Sequence, residues 1–178
     1  MVINAGKVAI FLPLIIAMII FPVGCCSVNQ DRQQKQPVKL AKATRSESKA
    51  VITLRRQSIV KLALLQIGKP YVWGGNSPVK GFDCSGLIWW VFRKNGILIP
   101  RVSHQQRLAG RSIARQDLRQ GDLILFKTNP RGKSLHIGIY VGKGMFIHSP
   151  KKGAFVRMDS VSNPYWQRVY VCARRIVA

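Results

Sequence analysis

Acidic residues are scarce in this chain: 6 Asp and Glu stand against 29 Lys and Arg, a formal net charge of +23. From Val51 onward the carboxylates are Asp83, Asp117, Asp122 and Asp159, with no Glu. A glycosidase built on paired carboxylates finds little support there. Asp83 stands where a helix cap belongs, and Asp122 follows Gly121 in a turn. Cysteine is also sparse: of four, Cys25 and Cys26 fall in a leader region, which leaves Cys84 and Cys172. These two could form at most one disulfide in an oxidising compartment, and no Cys-x-x-Cys pair signals a structural zinc. A phosphate-cradling loop followed by Lys-Ser or Lys-Thr is lacking, as is any internal repeat. The basic residues are spread along the whole chain without a DNA-reading motif, so nucleic acid is not the expected partner. A charge of this size still draws the protein to polyanions, among them anionic lipid or an anionic wall polymer.

What is present begins with an export signal. Lys7 precedes an unbroken apolar run from Val8 to Val23, which holds Pro13 and Pro22. At 16 residues the run is short for a membrane span, which needs roughly 20, and it has the layout of a signal peptide over residues 1–24. Gly24-Cys25-Cys26 follows directly, similar to a bacterial lipoprotein cleavage site with Cys25 as the acylated, palmitate-bearing residue. Pro22 stands where that motif usually has Leu. Acylation at Cys26, ordinary signal cleavage and an uncleaved anchor stay open. Residues 25–50 are rich in Gln, Lys, Ser and Thr and are expected to form a flexible tether. The folded domain is expected over 51–178.

Within that domain, Ile59, Leu62, Ala63 and Leu65 mark a helix over Leu54–Ile67. Asp83 caps a second helix, Cys84–Asn95, whose buried stripe is Leu87, Ile88, Val91 and Phe92. Ser103 and Gln106 have capping-box spacing and open a short third helix. Strands are expected at Asp122–Phe126, His136–Val141, Met145–His148, Phe155–Met158 and Val169–Ile176. Helices first and strands later make the fold class α+β with an antiparallel sheet. Cys172 reads as a small core residue.

Cys84 is then a lone thiol in an oxidising compartment, at a helix N-terminus whose free N–H groups favour thiolate and can hold an oxyanion. Gly86 leaves room for a substrate. His136 opens a strand in which Ile137 and Ile139 face the core and the even positions face away. If Gly142-Lys143-Gly144 is a three-residue turn that sets Val141 opposite Met145, His148 falls opposite Gly138, diagonal to His136 on one face. A two-residue turn would separate the two imidazoles. The residues alone leave three readings: a relay in which His136 deprotonates Cys84 and His148 orients His136, a zinc site on Cys84, His136 and His148, and a bland histidine.

Pro70-Tyr71-Val72-Trp73-Gly74-Gly75 and Gly81-Phe82-Asp83-Cys84-Ser85-Gly86-Leu87 resemble the NlpC-type family of bacterial cell-wall cysteine peptidases. Gly121-Asp122-Leu123, His136-Ile137-Gly138-Ile139-Tyr140, Ile147-His148-Ser149, the Arg101/Ser103/Gln106 segment and Arg174-Arg175 fit the same family in order. The resemblance implies a papain-like fold, with N-terminal helices carrying the Cys packed on a sheet carrying the His residues. It implies hydrolysis of amide bonds in peptidoglycan stem peptides through an acyl-enzyme, at the D-glutamyl–diamino acid bond or the cross-link. Cys84 would be nucleophile, His136 base and His148 the third polar residue, with Tyr71 and Ser85 aiding oxyanion or substrate and no metal or cofactor. A packed loop aromatic also explains Tyr71, and helix capping explains Ser103 and Gln106. Val102 departs from the common Thr. The expected partners are peptidoglycan and, through the N-terminal lipid, the membrane, which implies an envelope protein anchored to the outer membrane. A wall-binding lipoprotein without turnover, or an amidase or acyltransferase using the same Cys–His pair, are the competing functions.

Overall fold

The computed structural model describes residues 37–132 and 135–178, with side chains from residue 48 onward. The export signal and the acylation site at Cys25 or Cys26 lie outside the described residues. The first element, α1, spans Pro37–Leu64, so the helix expected from Leu54 starts earlier, inside the segment expected to be a tether. The cause is local: after Pro37, which is tolerated in a first helical turn, residues 38–50 contain no Gly or Pro, but three Ala, three Lys and Leu40. The helix also stops before Leu65, which is exposed.

The chain continues through a small ribbon of β1 (Asn76–Ser77) and β2 (Gly81–Phe82) into α2 (Cys84–Lys94), as expected from its apolar spacing. Leu87, Ile88, Val91 and Phe92 are all fully buried, one continuous helical face. Next come α3 (Ser103–Gln106), β3 (Arg111–Ile113), a single 3₁₀ turn, β4 (Leu123–Phe126), β5 (His136–Gly142), β6 (Met145–His148), β7 (Arg157–Ser160), α4 (Pro164–Val169) and β8 (Tyr170–Arg175). The α+β class is as expected. The last six strands form one antiparallel sheet in the order β3-β8-β4-β5-β6-β7.

Both faces of this sheet are covered, and the alternation of β4 shows it. Leu123 and Leu125 join the main core with α1 and α2, alongside Ile137, Ile139 and Ile147. Ile124 and Phe126 point to the opposite face, where they pack with Phe146 and Trp166. Trp166 belongs to α4, which the sequence reading did not anticipate, although Asn163 caps it and Pro164 fills its first position. Three further expectations need correction. There is no capping box at α3: Val102 occupies the cap position without a side-chain bond, and Ser103 is the first helical residue. The strand expected at Phe155 starts at Arg157, because Phe155 and Val156 pair instead with the Lys69–Pro70 segment. The β5–β6 turn is also not three residues long. Gly142 pairs with Met145, so the turn is Lys143-Gly144, and an irregularity between Tyr140 and Gly142 restores the register to Ile139 opposite Ile147. Gly142, at φ +97°, makes that irregularity possible. The diagonal placement of His136 and His148 is therefore reached by a two-residue turn plus a bulge.

One ion cluster ties the elements together. Asp122 is fully buried at the start of β4. It accepts from Nε of Arg175 at 2.9 Å and from its terminal amino group at 2.7 Å, and from the backbone N–H of Arg119 at 2.8 Å. Arg56 on α1 approaches the same carboxylate at 3.4 Å and also donates to the carbonyl of Val177. One carboxylate thus joins α1, β4 and β8.

Candidate active site

The loop before α2 is built around Asp83. Its Oδ1 caps the helix by accepting from Gly86 N at 2.6 Å, and its Oδ2 accepts from Gly74 N at 2.9 Å. Arg101 donates to both oxygens, at 3.0 and 2.8 Å, and also to the carbonyl of Gly75. A side chain at Gly86 would stand 2.0 Å from the carbonyl oxygen of Gly75. Gly86 is therefore required for the close approach of loop and helix, and not, as expected, to leave room for substrate. The Ser85 hydroxyl is likewise committed, to Asp83 and Arg101. Gln106 is buried with its amide donating to Ser85 O at 3.1 Å and Pro100 O at 2.7 Å, so it braces the first turn of α2. Ser149, just past β6, donates to Phe82 O at 2.7 Å and locks the sheet to this loop.

Cys84 sits at the first position of α2 as a free thiol, and Cys172 in β8 is a second free thiol, half-buried on the main core. The expected pull of the helix terminus toward thiolate is present at Cys84, but it does not set the resting state. Burial pushes the thiol up to about 11, with the Asp83 charge adding to the effect. The backbone N–H groups of Ser85, Ile137 and Cys84 itself pull the other way without overcoming it. Those contacts place the sulfur beside Ile137, the residue after His136. Tyr71 is close by: burial raises its phenol pKa, as do the charges of Cys84 and Asp83.

His136 and His148 meet as the register requires, Nε2 of His136 lying 2.7 Å from Nδ1 of His148. Gly138 between them is filled from across the hairpin, since a Cβ there would stand 2.6 Å from Phe146. The line continues to a residue set aside at the sequence level: Nε2 of His148 is 3.0 Å from Oδ2 of Asp159. The same Oδ2 accepts from the Trp166 indole at 3.0 Å, and Arg157 donates to both carboxylate oxygens. Trp166 also stacks on the His136 ring, with centroids 5.5 Å apart and planes 23° from parallel.

Counting donors fixes the tautomers along this line. An ionised Asp159 accepts only, so His148 carries its proton on Nε2 and presents a lone pair at Nδ1. His136 must then donate from Nε2, which leaves its Nδ1 as a lone pair with no partner among the described residues. Asp159 stays ionised: burial would raise its pKa, but the hydrogen bonds from Arg157 and Trp166 and the neighbouring His148 hold it below the usual carboxylate range. Both rings are neutral at rest. Burial first, and then the proximity of His148, lowers His136 to about 3, and burial lowers His148 to about 4 against the opposing pull of Asp159. Burial thus favours neutral thiol and neutral imidazole at rest, and Nδ1 of His136 is the one position on the line with a lone pair left for a proton. Nε2 of His136 and both nitrogens of His148 are spent on this line, an arrangement that does not converge on a metal position.

A model for the NlpC/P60 family matches residues 68–175. The chain belongs to this family. It is 48% identical over 116 residues to murein DD-endopeptidase MepH of Escherichia coli (strain K12), which covers 63% of this chain and 42% of MepH. It is 39% identical over 121 residues to the bifunctional muramidase/DL-endopeptidase CwlT of Bacillus subtilis (strain 168), covering 67% of this chain and 36% of CwlT. The chain thus spans less than half the length of these curated relatives. Among solved structures, the peptidoglycan hydrolase RipB of Mycobacterium tuberculosis aligns with a TM-score of 0.62 at 30% identity, covering 72% of this chain and 68% of RipB. The NlpC/P60 fold places the Cys-bearing helix against the His-bearing sheet, the papain-like arrangement expected from the resemblance.

The depressed histidines predict a pH dependence of stability. Unfolded histidine protonates near 6.5, whereas the folded His136 and His148 stay neutral to about 3 and about 4. Above pH 6.5 neither form binds the proton and there is no penalty. As pH falls below 6.5 the unfolded chain binds more protons and stability declines, levelling only below about 3. Melting midpoints from pH 7 to 4 should fall more steeply for the native protein than for His148→Gln. Equal slopes would show that His148 does not contribute to the decline.

Proposed function

We propose that this NlpC/P60 domain is a cysteine endopeptidase that hydrolyses amide bonds in peptidoglycan stem peptides through an acyl-enzyme on Cys84. The observation that carries the reading is the unbroken line Asp159–His148–His136, which leaves a single basic nitrogen next to the strand residue that touches the thiol. The names of the relatives, which act on murein or peptidoglycan, supply the substrate class. In the reaction, Nδ1 of His136 takes the Cys84 proton as sulfur attacks the carbonyl carbon. The N–H groups at the start of α2, Ser85 N–H among them, and the Tyr71 hydroxyl stabilise the oxyanion. Ser85 thus acts through its backbone. The imidazolium, stabilised through His148 by the Asp159 charge, returns the proton to the departing amine as the C–N bond breaks. His136 then deprotonates a water that attacks the thioester, releasing the acid and restoring the thiol.

The cut falls at the D-glutamyl–diamino acid bond or at the cross-link, since MepH is named a DD- and CwlT a DL-endopeptidase. Mass spectrometry of purified peptidoglycan incubated with the protein decides between them by the residue that gains a free carboxylate, D-glutamate in the first case and the acyl donor of the cross-link in the second. No new fragments would favour a wall-binding lipoprotein without turnover. A released sugar–peptide junction or a transferred acyl group would favour an amidase or acyltransferase. We further read residues 1–24 as an export signal, Cys25 as the acylated residue that anchors the protein to the envelope, and the basic surface as an attachment to anionic wall polymer. Mass spectrometry of the mature N-terminus should find acylated Cys25, and an unmodified terminus would remove the anchor.

A further inference from the structure

The last turns of α1 and α2 leave an open cleft of about 510 Å³ between them, lined by Lys61, Leu62 and Leu65 on one side and Trp90 and Lys94 on the other. A second hollow continues it along α1, lined by Val51, Arg55 and Leu98. Val51, Arg55, Ser58, Leu62 and Leu65 follow one another at three- and four-residue steps, so both hollows lie on one stripe of the helix. Leu65 keeps the stripe just past the end of α1, since its N–H still donates to the carbonyl of Lys61 at 3.2 Å. The stripe is roughly 20 Å long. Cys84 and Lys94 are the first and last residues of α2, so the nucleophile and this groove lie toward opposite ends of an 11-residue helix.

Two kinds of side chain meet in the groove. Arg55, Lys61 and Lys94 are exposed cations, and no Asp or Glu lines either hollow. Asp83, Asp122 and Asp159 are bound elsewhere, to Arg101, Arg175 and Arg157. Between the cations stand apolar groups without cover: Leu65 is 65% exposed and Leu98 85%. Half-buried Trp90 packs edge-on against Phe82 and stands at the border of the two. A wall polyanion would satisfy the cations and leave the leucines in water. An anionic lipid answers both, with phosphate for the cations and acyl chain for the leucines, and an aromatic residue belongs at that boundary. The position in the chain agrees. From the groove α1 runs back without a break to Pro37, toward Cys25. The intervening sequence carries Lys39, Lys42, Arg45 and Lys49 against a single acid, Glu47. The inference rests on the anchor reading only for a membrane within reach, and not on the peptidase reading.

We propose that this groove docks the domain on an anionic lipid surface, with Lys61 and Lys94 on headgroup phosphates, Leu65 and Trp90 at the acyl boundary, and the Cys84 end of α2 directed away from the membrane. The full chain, as isolated from cells, is reconstituted in phosphatidylcholine vesicles with and without phosphatidylglycerol, the lipids brominated high on the acyl chain. Tryptophan quenching reads the groove, and flotation of the same vesicles reads attachment separately. The native protein should lose about a quarter of its emission on anionic vesicles, one tryptophan of its four, and little on neutral ones. Trp90→Phe should abolish that loss. Lys61→Gln with Lys94→Gln should weaken the engagement about 25-fold, about fivefold for each cation at an anionic surface. High salt should act in the same direction. Both lysines are exposed and outside the catalytic line, so the double variant should keep the native melting midpoint. Equal quenching on neutral and anionic vesicles, or quenching unaltered in the double variant, would overturn the proposal. Salt-sensitive retention on purified wall polymer with no quenching on vesicles would assign the cations to the wall and overturn it as well. Flotation without quenching would overturn the groove assignment and leave the anchor reading standing. Quenching by a protein whose Cys25 is unmodified would support the groove and remove the anchor, and a protein that neither floats nor is quenched would overturn both.

Discussion

Asp159→Asn should lower kcat by about 10²- to 10⁴-fold with little change in KM, the range expected when a carboxylate no longer imposes the imidazole tautomer. The carboxylate compels His148 to carry its proton on Nε2, and through the 2.7 Å contact compels His136 to present a lone pair at Nδ1. A neutral amide imposes no such order. His148 can then protonate Nδ1, and His136 turns an N–H rather than a lone pair toward Cys84. Substitutions at His148 form a graded series with this one. His148→Ala removes the acceptor, whereas His148→Gln keeps a carbonyl that can accept from His136 Nε2–H and should recover part of the rate. His136→Ala should cost nearly all of it. A purely structural role for Asp159 would lower the melting midpoint without altering kcat of the folded fraction. An Asp159→Asn protein with native kcat would break the chain of reasoning at its first link.

Asp122→Ala should be the most damaging change to stability, about 3–5 kcal/mol, because it strands a buried cation. Arg175 is 3% exposed and loses both of its bonds to the carboxylate, while Arg56 loses its ion pair and Arg119 its N–H acceptor. For a domain of this size the midpoint should fall by roughly 10 °C or more. Removing the stranded cation as well should help: Asp122→Ala with Arg175→Met should cost less than the two single changes added together. Denaturant unfolding of the three variants checks this. A single-mutant cost below about 1 kcal/mol would place the cluster among weak surface pairs.

The parts of the site that were legible in the sequence rest on short-range rules. Asp83 followed by Cys84 and the stripe Leu87, Ile88, Val91, Phe92 announces a capped amphipathic helix with the thiol in its first turn. Ile137, Ile139 and Ile147 announce which strand face is core, so the shared face of His136 and His148 follows from parity. The details of the turn did not follow, because the bulge before Gly142 depends on a backbone conformation that residue types only permit. Asp159 was hidden for a related reason. It lies in the stretch Arg157-Met158-Asp159-Ser160, whose burial pattern is not apolar alternation, and its partners His148 and Trp166 come from separate elements. The helix-terminal N–H groups that pull Cys84 toward thiolate are visible in sequence, whereas the extent of burial, which outweighs them, is not. Residues 38–50 illustrate the converse. Their polar composition suggests a tether, yet their helix propensity is high, and they continue α1.

The most direct test of the central claim is the rate of fragment release from purified peptidoglycan by the native protein, Cys84→Ala and Cys172→Ala, each shown to be folded. Cys84→Ala removes one sulfur at a helix start and should leave the fold intact, and Cys172 takes no part in the line of groups described. The account predicts release by the native protein and by Cys172→Ala at similar rates, and none by Cys84→Ala. Continued release by folded Cys84→Ala would contradict it.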